Sequence, residues 1–402
     1  MAVCPIHFMV GGLGDCSLAD NNNAGAYESD TATWTNAQAA NGAAVVSNMT
    51  VLAADITEGE TTIQLQAIGI GLGVNIDTYI NVNWDNTSSD YIDGRYRLAY
   101  VSNDSIDISY TAGAQNPPGA GENGTKVWLG GALLNDDVGL QIAFGMVAAG
   151  DTVKISNGAT HTLAATVDVD GTPGTSAAHI TIEGVINSTG VRCAVTDTLP
   201  VITTTAEITG LMKMVGAISY YNWRGLTFDG AGTDKADYCI QANTDTLAVA
   251  HRFFYCRFTN ADESGVVWRG QYWALIGCEV DNNDVWGLTN QTNDGSAAFI
   301  IGNTVHDNGG GGMNLHGTKS VIVNNYVHTN TGIGITVVGL STDSVIAGNT
   351  VRGNTSTGIN VTKLLLRIWG NSCSGNASVS GTEWDLNTAT FQYFGSNHAY
   401  NA

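Results

Sequence analysis

Basic residues and proline are scarce in this sequence, and their scarcity excludes several classes of protein. Only 13% of the 402 residues are charged, and 15 Lys and Arg stand against 36 Asp and Glu, which gives a net charge of −21 at pH 7. Proteins that bind nucleic acid need a basic surface, so we expect no nucleic-acid partner. An acidic surface keeps a chain soluble and repels polyanions unless metal ions bridge the two.

Long apolar runs and paired cysteines are also missing. No stretch of about 18 apolar residues occurs, so we predict no membrane insertion. The first residues, MAVCPIHFMVGG, show no basic region followed by an apolar core, so we expect no secretory signal. The seven cysteines include no CxxC pair, which favours buried thiols over a disulfide framework or a zinc site.

Glycine is abundant, and one short phrase recurs. The 50 glycines, 5 prolines and 43% hydrophobic residues suit short strands joined by tight turns. The phrase IGNTVHDN returns as VNNYVHTN, AGNTVRGN and WGNSCSGN. Its third residue, which we call the anchor, is Asn303, Asn325, Asn349 and Asn371, at spacings of 22, 24 and 22 residues. A period in the low twenties with strand-like segments predicts a solenoid of stacked coils.

Apolar columns hold fixed places around the anchor. In the two preceding coils Cys256 and Cys278 occupy the anchor position. The residues two places after the anchor position are Phe258, Val280, Val305, Val327, Val351 and Cys373. Neighbouring coils lie about 4.8 Å apart, so like residues stack on like. A buried Asn is costly unless its amide is satisfied, and in a stack each amide can bond the coils above and below. We therefore predict that the four anchor asparagines form a structural ladder.

This pattern resembles the right-handed parallel β-helix superfamily, the pectate-lyase-like fold, over roughly residues 151–375. We predict an all-β chain: a right-handed single-stranded parallel β-helix with an N-terminal capping helix and a small antiparallel β-domain inserted near the N-terminus. That fold is shared by lyases, hydrolases, epimerases and non-enzymatic phage proteins, so the resemblance indicates the fold and leaves the activity open.

The chain divides into four predicted parts. Residues 1–48 form an N-terminal strand and connection, 49–129 the inserted β-domain, 130–150 the capping helix and 151–402 the parallel β-helix. Alternating polar and apolar residues in the second part predict antiparallel hairpins. In the third part apolar residues recur every four places, at Leu134, Val138, Ile142 and Met146. Such a helix plugs the open end of the solenoid, as the resemblance also implies.

One polar column carries the candidate chemistry. Three places after the anchor stand Asp281, His306, His328 and Arg352, and strand alternation points this column outward. Asp307 is adjacent, and His316 lies one strand later. Such side chains can transfer protons in a lyase or hydrolase, bind an acidic sugar, or form an ordinary solvated face, and these alternatives stay open. We predict no metal ion and no cofactor.

A second column, two places before the anchor position, is apolar. Arg252 and Arg367 stand two residues before members of this column, on the same side of their strands, which predicts that the column also faces outward. The candidate strip of this column contains Phe254, Ile276, Ile301, Val323 and Trp369. A continuous outward apolar strip is typical of a contact surface. We therefore predict a homo-oligomer and favour a trimer.

The leading hypothesis is a bacteriophage virion structural protein, a tail or capsid appendage that contacts host surface glycans. Its expected partners are further copies, other virion proteins and cell-surface polysaccharide, and its expected location is the virion, extracellular after host lysis. The alternative is a polysaccharide lyase or glycoside hydrolase acting through the polar column. Asn243-Thr244-Asp245, Leu315-His316-Gly317 and Arg367-Ile368-Trp369 resemble motifs of polysaccharide hydrolases of this fold, but the Asp pair of that family is missing. A third hypothesis is an exported bacterial surface β-helix.

Overall fold

In the computed structural model the chain forms two compact units. The first consists of Met1–Ala159 with Gly184–Arg192, and the second of Thr160–Glu183 with Cys193–Ala402. The described residues are 7–10, 46–51, 62–66, 79–83, 94–101, 105–109, 123–128, 132–133, 137–147, 149–150, 152–158, 160–171, 173–186, 192–242, 248–290, 297–338, 343–362, 366–376, 386–388 and 393–400.

In its described residues, the first unit contains nine strands and one helix. Their bounds are β1 (His7–Val10), β2 (Val46–Val51), β3 (Thr62–Gln66), β4 (Tyr79–Asn83), β5 (Gly94–Val101), β6 (Ser105–Ser109), β7 (Asn123–Trp128), β8 (Ala132–Leu133), α1 (Asp137–Met146) and β9 (Thr152–Ser156). Six of these strands close an antiparallel barrel in the order β2-β3-β6-β5-β4-β7. Strand β1 pairs in parallel with both β8 and β9.

The helix α1 packs on β1, β5 and β8 through an apolar side on which Leu140, Ala143 and Phe144 are fully buried. The four residues that predicted this helix lie outside those whose side chains are described. Its role as a plug, the inserted domain and the four domain boundaries stay predictions. Within the described ranges, no helix has the length and apolar character needed to cross a membrane.

The second unit is a parallel β-helix with three sheets. Sheet 1 consists of β12 (Ile180–Val185), β15 (Tyr221–Arg224), β18 (Arg252–Phe254), β21 (Ala274–Ile276), β24 (Phe299–Ile301), β27 (Val321–Val323), β30 (Val345–Ala347), β33 (Arg367–Trp369) and β36 (Tyr393–Gly395). Sheet 2 consists of β10 (His161–Leu163), β13 (Val201–Thr204), β16 (Thr227–Asp229), β19 (Arg257–Thr259), β22 (Glu279–Asp281), β25 (Thr304–His306), β28 (Tyr326–His328), β31 (Thr350–Arg352), β34 (Ser372–Ser374) and β37 (His398–Tyr400). Sheet 3 consists of β11 (Val167–Val169), β14 (Ile208–Met214), β17 (Ala236–Ala242), β20 (Ser264–Trp268), β23 (Trp286–Asn290), β26 (Gly311–Leu315), β29 (Ile335–Val337), β32 (Ile359–Val361) and β35 (Leu386–Thr388).

The predicted asparagine ladder is confirmed and is longer than predicted. Between sheets 1 and 2, the Nδ2 atom of each anchor donates to Oδ1 of the next, at 2.9 Å from Asn303 to Asn325 and at 2.9 Å from Asn371 to Asn397. The same Oδ1 of Asn325 accepts the backbone N–H of Asn303 at 2.9 Å, and Nδ2 of Asn325 also donates to the carbonyl of Ile300. The buried side-chain amides of the ladder therefore find their hydrogen-bond partners in the neighbouring coils.

A second ladder runs between sheets 2 and 3. It consists of Asn283, Asn308, Asn330, Asn354 and Asn376. Beside it, a column of glycines opens successive sheet 3 strands. A Cβ on Gly287 would lie 2.8 Å from Cγ1 of Val305 and 3.0 Å from Nδ2 of Asn308. The recurring glycine is therefore required because the second ladder and the apolar column fill the space beside it.

The interior changes from aromatic to aliphatic along the tube. In the earlier coils Trp223, Phe253 and Trp273 stack at centroid distances of 5.7 and 5.9 Å. His251 lies between Tyr221 and Trp273, and its Nε2 is 3.2 Å from the carbonyl oxygen of Ile218. In the later coils Val and Ile fill the same columns, such as Ile300, Ile322 and Ile346, all fully buried.

Candidate functional site

The outer face of sheet 2 brings four of the six candidate residues into one row. The strand register pairs Asp281 with His306, His306 with His328, and His328 with Arg352. The alternate residues, such as Val305, are fully buried in the tube, so the row projects from its outer side. We call these four residues the polar row.

Asp281 differs from the expected exposed position, because it is fully buried beneath its neighbours. Arg257 donates Nε to Oδ1 at 2.8 Å and a guanidinium nitrogen to Oδ2 at 2.7 Å. Thr259 and Asn282 donate to Oδ2 as well, at 3.0 and 2.6 Å. The hydrogen bond to Asp281 is the main cause that raises the pKa of Arg257. Asp281 therefore anchors Arg257 on the sheet.

His306 lies between two carboxylates. Its Nδ1 is 2.7 Å from Oδ2 of Asp307, and its Nε2 is 3.2 Å from Oε1 of Glu279. Because ionised carboxylates only accept hydrogen bonds, both contacts are formed best by the imidazolium. Partial burial lowers the pKa of His306, but the bonds to Asp307 and Glu279 outweigh it, so the net shift is upward. Bonds from Thr329 and His306 lower the pKa of Asp307.

His328 stacks on His306, with ring centroids 4.9 Å apart and ring planes within 1° of parallel. Its Nδ1 is 2.9 Å from Oγ1 of Thr329. Burial, followed by the charge of His306, lowers the pKa of His328. The ring of Tyr326 lies 4.3 Å from that of His328, and the guanidinium carbon of Arg352 lies 5.0 Å from the Tyr326 ring centroid. The exposed end of the row therefore combines an aromatic face with a cation.

His316 lies apart from the row. It follows β26 of sheet 3, its backbone N–H donates to Oδ1 of Asn290, and burial lowers the pKa of its imidazole. The tripeptides that contain His316 and Arg367 belong to sheet 3 and sheet 1 respectively, and Asn243-Thr244-Asp245 lies outside the described residues.

Three contributors to the site were missed at the sequence level: Arg257, Glu279 and Tyr326. All stand one place after the anchor position, in the column that alternates with the buried apolar column, so they face outward as the polar row does. That column also contains Thr304 and Thr350, so its residue types vary from coil to coil and do not indicate a site.

The predicted outward apolar strip lies on sheet 1. Register pairs place Phe254, Ile276, Ile301, Val323 and Trp369 in one file, with Ala347 between the last two. Trp369 is 43% exposed, and the other four are half-buried. The next outward column adds Phe299, Val321 and Val345. We call this surface the apolar face; whether another chain covers it stays a prediction.

Comparison with known proteins agrees with this architecture. Residues 238–397 match the family model described as the right-handed beta helix region. No curated protein matches the chain. With the three stacked parallel sheets, the match confirms the predicted right-handed parallel β-helix.

Several solved structures resemble the chain at low identity. Pectate lyase Pel9A shares 14% identity at a TM-score of 0.46, over 65% of this chain and 71% of that one. The A-module of Azotobacter vinelandii mannuronan C-5 epimerase AlgE4 shares 14% at 0.43, over 65% and 90%. The enzymatically active domain of bacteriophage CBA120 tailspike protein 2 shares 12% at 0.42, over 79% and 54%. These likenesses concern the fold alone.

Proposed function

We propose that this chain is a glycan-contacting β-helix of a bacteriophage virion and that the outer face of sheet 2 is the contact surface. The observation that carries the glycan contact is the cluster of Tyr326, His328 and Arg352 on two adjacent strands. A flat aromatic ring offers an apolar surface to a sugar, and a guanidinium can donate two parallel hydrogen bonds to a carboxylate.

Charge favours the same surface. The chain carries a net charge of −21, so an acidic polysaccharide is repelled by most of it. The exception is the Arg352 end of sheet 2, where this guanidinium lies three strands from Glu279 and Asp281 and offers a cation to a carboxylate. From His306 to Arg352 the accessible part of the polar row spans about 10 Å, two steps of strand spacing, which is enough to engage two linked sugars.

The test compares two exposed arginines on adjacent coils. Arg352→Gln removes the cation beside Tyr326, whereas Arg367→Gln removes a cation from the outer side of sheet 1. We expect the first variant to bind a carboxylated polysaccharide about tenfold to a hundredfold more weakly, because a charge-assisted hydrogen bond is lost. The second should bind like the parent protein. Equal binding by Arg352→Gln and the parent protein, measured by glycan array or calorimetry, would contradict the proposed contact surface.

The virion role brings assembly with it. We include in the proposal a homo-trimer that buries the apolar face, in association with other virion proteins. In a chain of net charge −21, the two outward columns of sheet 1 hold no acidic residue from β18 to β33. Copies can therefore approach each other there with the least repulsion.

A polysaccharide lyase or hydrolase is the second candidate. The parallel stack of His306 and His328, with Tyr326 beside it, puts two imidazoles within reach of one bound sugar. This candidate predicts new reducing ends or unsaturated products from an acidic polysaccharide. His328→Ala should abolish them, whereas His316→Ala should not. An absence of products from the parent protein would leave glycan contact without catalysis.

A further inference from the structure

The inner end of the polar row brings together ligand atoms from two neighbouring coils. Glu279 and Asp281 belong to β22, and His306 belongs to β25, its partner in sheet 2. One donor atom from each of the three lies within 4.8 Å of the other two. We propose that Glu279, Asp281 and His306 bind a divalent transition-metal ion, with Zn²⁺ as the ion of best fit.

The distances suit such an ion. Zinc bonds of about 2.0–2.1 Å in a tetrahedron separate the ligand atoms by about 3.3 Å. His306 Nε2 and Glu279 Oε1 are already 3.2 Å apart. Glu279 is 47% exposed, so its side chain can adjust, and a fourth coordination position would lie on the outer side of sheet 2. Water or a ligand oxygen can occupy that position.

A further carboxylate holds the imidazole in a ligating orientation. Asp307 lies 2.7 Å from Nδ1 of His306 and directs Nε2 at Glu279. Metal-bound histidines commonly donate their second ring nitrogen to a carboxylate in this way. Asp307 is therefore a positioning residue for the proposed site, and it provides a test that does not touch the ligands.

The guanidinium of Arg257 is the main feature that opposes a cation. It is held by Asp281, whose Oδ2 accepts bonds from Arg257, Thr259 and Asn282. Oδ1 of Asp281 accepts the bond from Nε of Arg257, which leaves this oxygen a second lone pair. Once the ion displaces the proton of His306, Glu279, Asp281 and Asp307 carry three negative charges against one on Arg257. The remaining charge of −2 matches a divalent ion.

The ligand set selects the class of ion. Calcium and magnesium prefer sites made of oxygen alone, with six or more ligands. An imidazole nitrogen with two carboxylates suits zinc, cobalt or nickel. The proposed site would also clip β22 to β25, so the ion should stabilise the tube as well as bind to it.

The experiment titrates Zn²⁺, and Co²⁺ as a spectroscopic probe, into the untagged full chain after treatment with a chelator and without any glycan. We expect one equivalent of Zn²⁺ to bind, a rise in Tm, and the visible absorption of four-coordinate Co²⁺. His306→Gln and Glu279→Gln should each raise the Kd about a hundredfold or more, and Asp307→Asn about tenfold to a hundredfold. His316→Gln is the matched control and should bind like the parent protein.

Three results would overturn the site: no stoichiometric binding by the parent protein, undiminished binding by both His306→Gln and Glu279→Gln, or equally tight binding of Ca²⁺, which would indicate surface carboxylates only. Glu279 is exposed, so its variant keeps the test decisive even where His306→Gln fails to fold. Because glycan is absent, failure here leaves the glycan contact of Arg352 untouched.

Discussion

At the scale of single residues, the buried amides of the two ladders and the buried imidazole of His251 should each make a measurable contribution to stability. An asparagine in either ladder exchanges bonds with two coils, so its loss leaves donors and acceptors unsatisfied in both. A histidine sealed among aromatic rings has no such partner for an added proton. Both cases give stability effects that can be measured in the whole chain.

Asn325→Ala should lower the free energy of unfolding by about 3 kcal/mol, because the amide of Asn303 and the backbone N–H of Asn303 both lose their acceptor. Asn360→Ala is the control, since Asn360 bonds Asn387 at an exposed position. That variant should change stability by less than about 0.5 kcal/mol. Denaturant unfolding measures both, and similar losses in the two variants would contradict the structural role of the ladder.

The pH dependence of stability should include a contribution from His251. Burial lowers its pKa to about 4, against about 6.5 in an unfolded chain. Between pH 6.5 and pH 4 the unfolded chain therefore binds a proton at His251 that the native chain does not bind. The stability present above pH 6.5 is lost as pH falls toward 4. At pH 4.5 the loss reaches about 2.5 kcal/mol.

His251→Phe separates this contribution from that of the carboxylates. The variant loses the bond to Ile218 and is less stable at pH 7, but its stability should fall less between pH 7 and pH 4.5 than that of the parent protein. Unfolding curves at the two pH values give the comparison. An identical fall in both proteins would mean that His251 is not the titrating group.

At the scale of strands and sheets, the repeat predicted which residues of successive coils lie side by side. The anchor spacing placed Asn303 to Asn371 in one file, and alternation placed His306 and His328 side by side on an outer face, as the register shows. This works because a parallel β-helix converts a constant sequence spacing into direct spatial contact. The columns are then read from the sequence without any knowledge of the loops.

Contacts between different columns could not be predicted in the same way. Arg257 lies in the preceding coil, opposite Glu279 in the strand register, and its side chain covers Asp281. A repeat alignment has no information about side-chain rotamers, so it could not predict this burial. The placing of Glu279 beside His306 likewise depends on a diagonal contact between coils. The candidate metal site was invisible at the sequence level for that reason.

At the scale of the whole molecule, an acidic tube with one outer face free of acidic residues from β18 to β33 is expected to associate through that face. Ile301→Asp introduces a charge in the middle of the apolar face, and Thr350→Asp adds the same charge to the outer side of sheet 2. We expect the parent protein and Thr350→Asp to be trimers by light scattering, and Ile301→Asp to be a monomer, because a buried unpaired charge is costly at an interface. A monomeric parent protein would contradict the proposed assembly.

The most direct test of the account asks whether residues one coil apart are neighbours. Thr350 and Ser372 are exposed, 22 residues apart and paired in register on β31 and β34. Cysteines at both positions should close a disulfide on mild oxidation, since adjacent strands bring Cα atoms about 4.8 Å apart. The pair Thr350→Cys with Ser374→Cys, offset by two residues, should link far more slowly. Equal linking of both pairs, or of neither, would contradict the stacked coils on which the polar row, the apolar face and the proposed metal site depend.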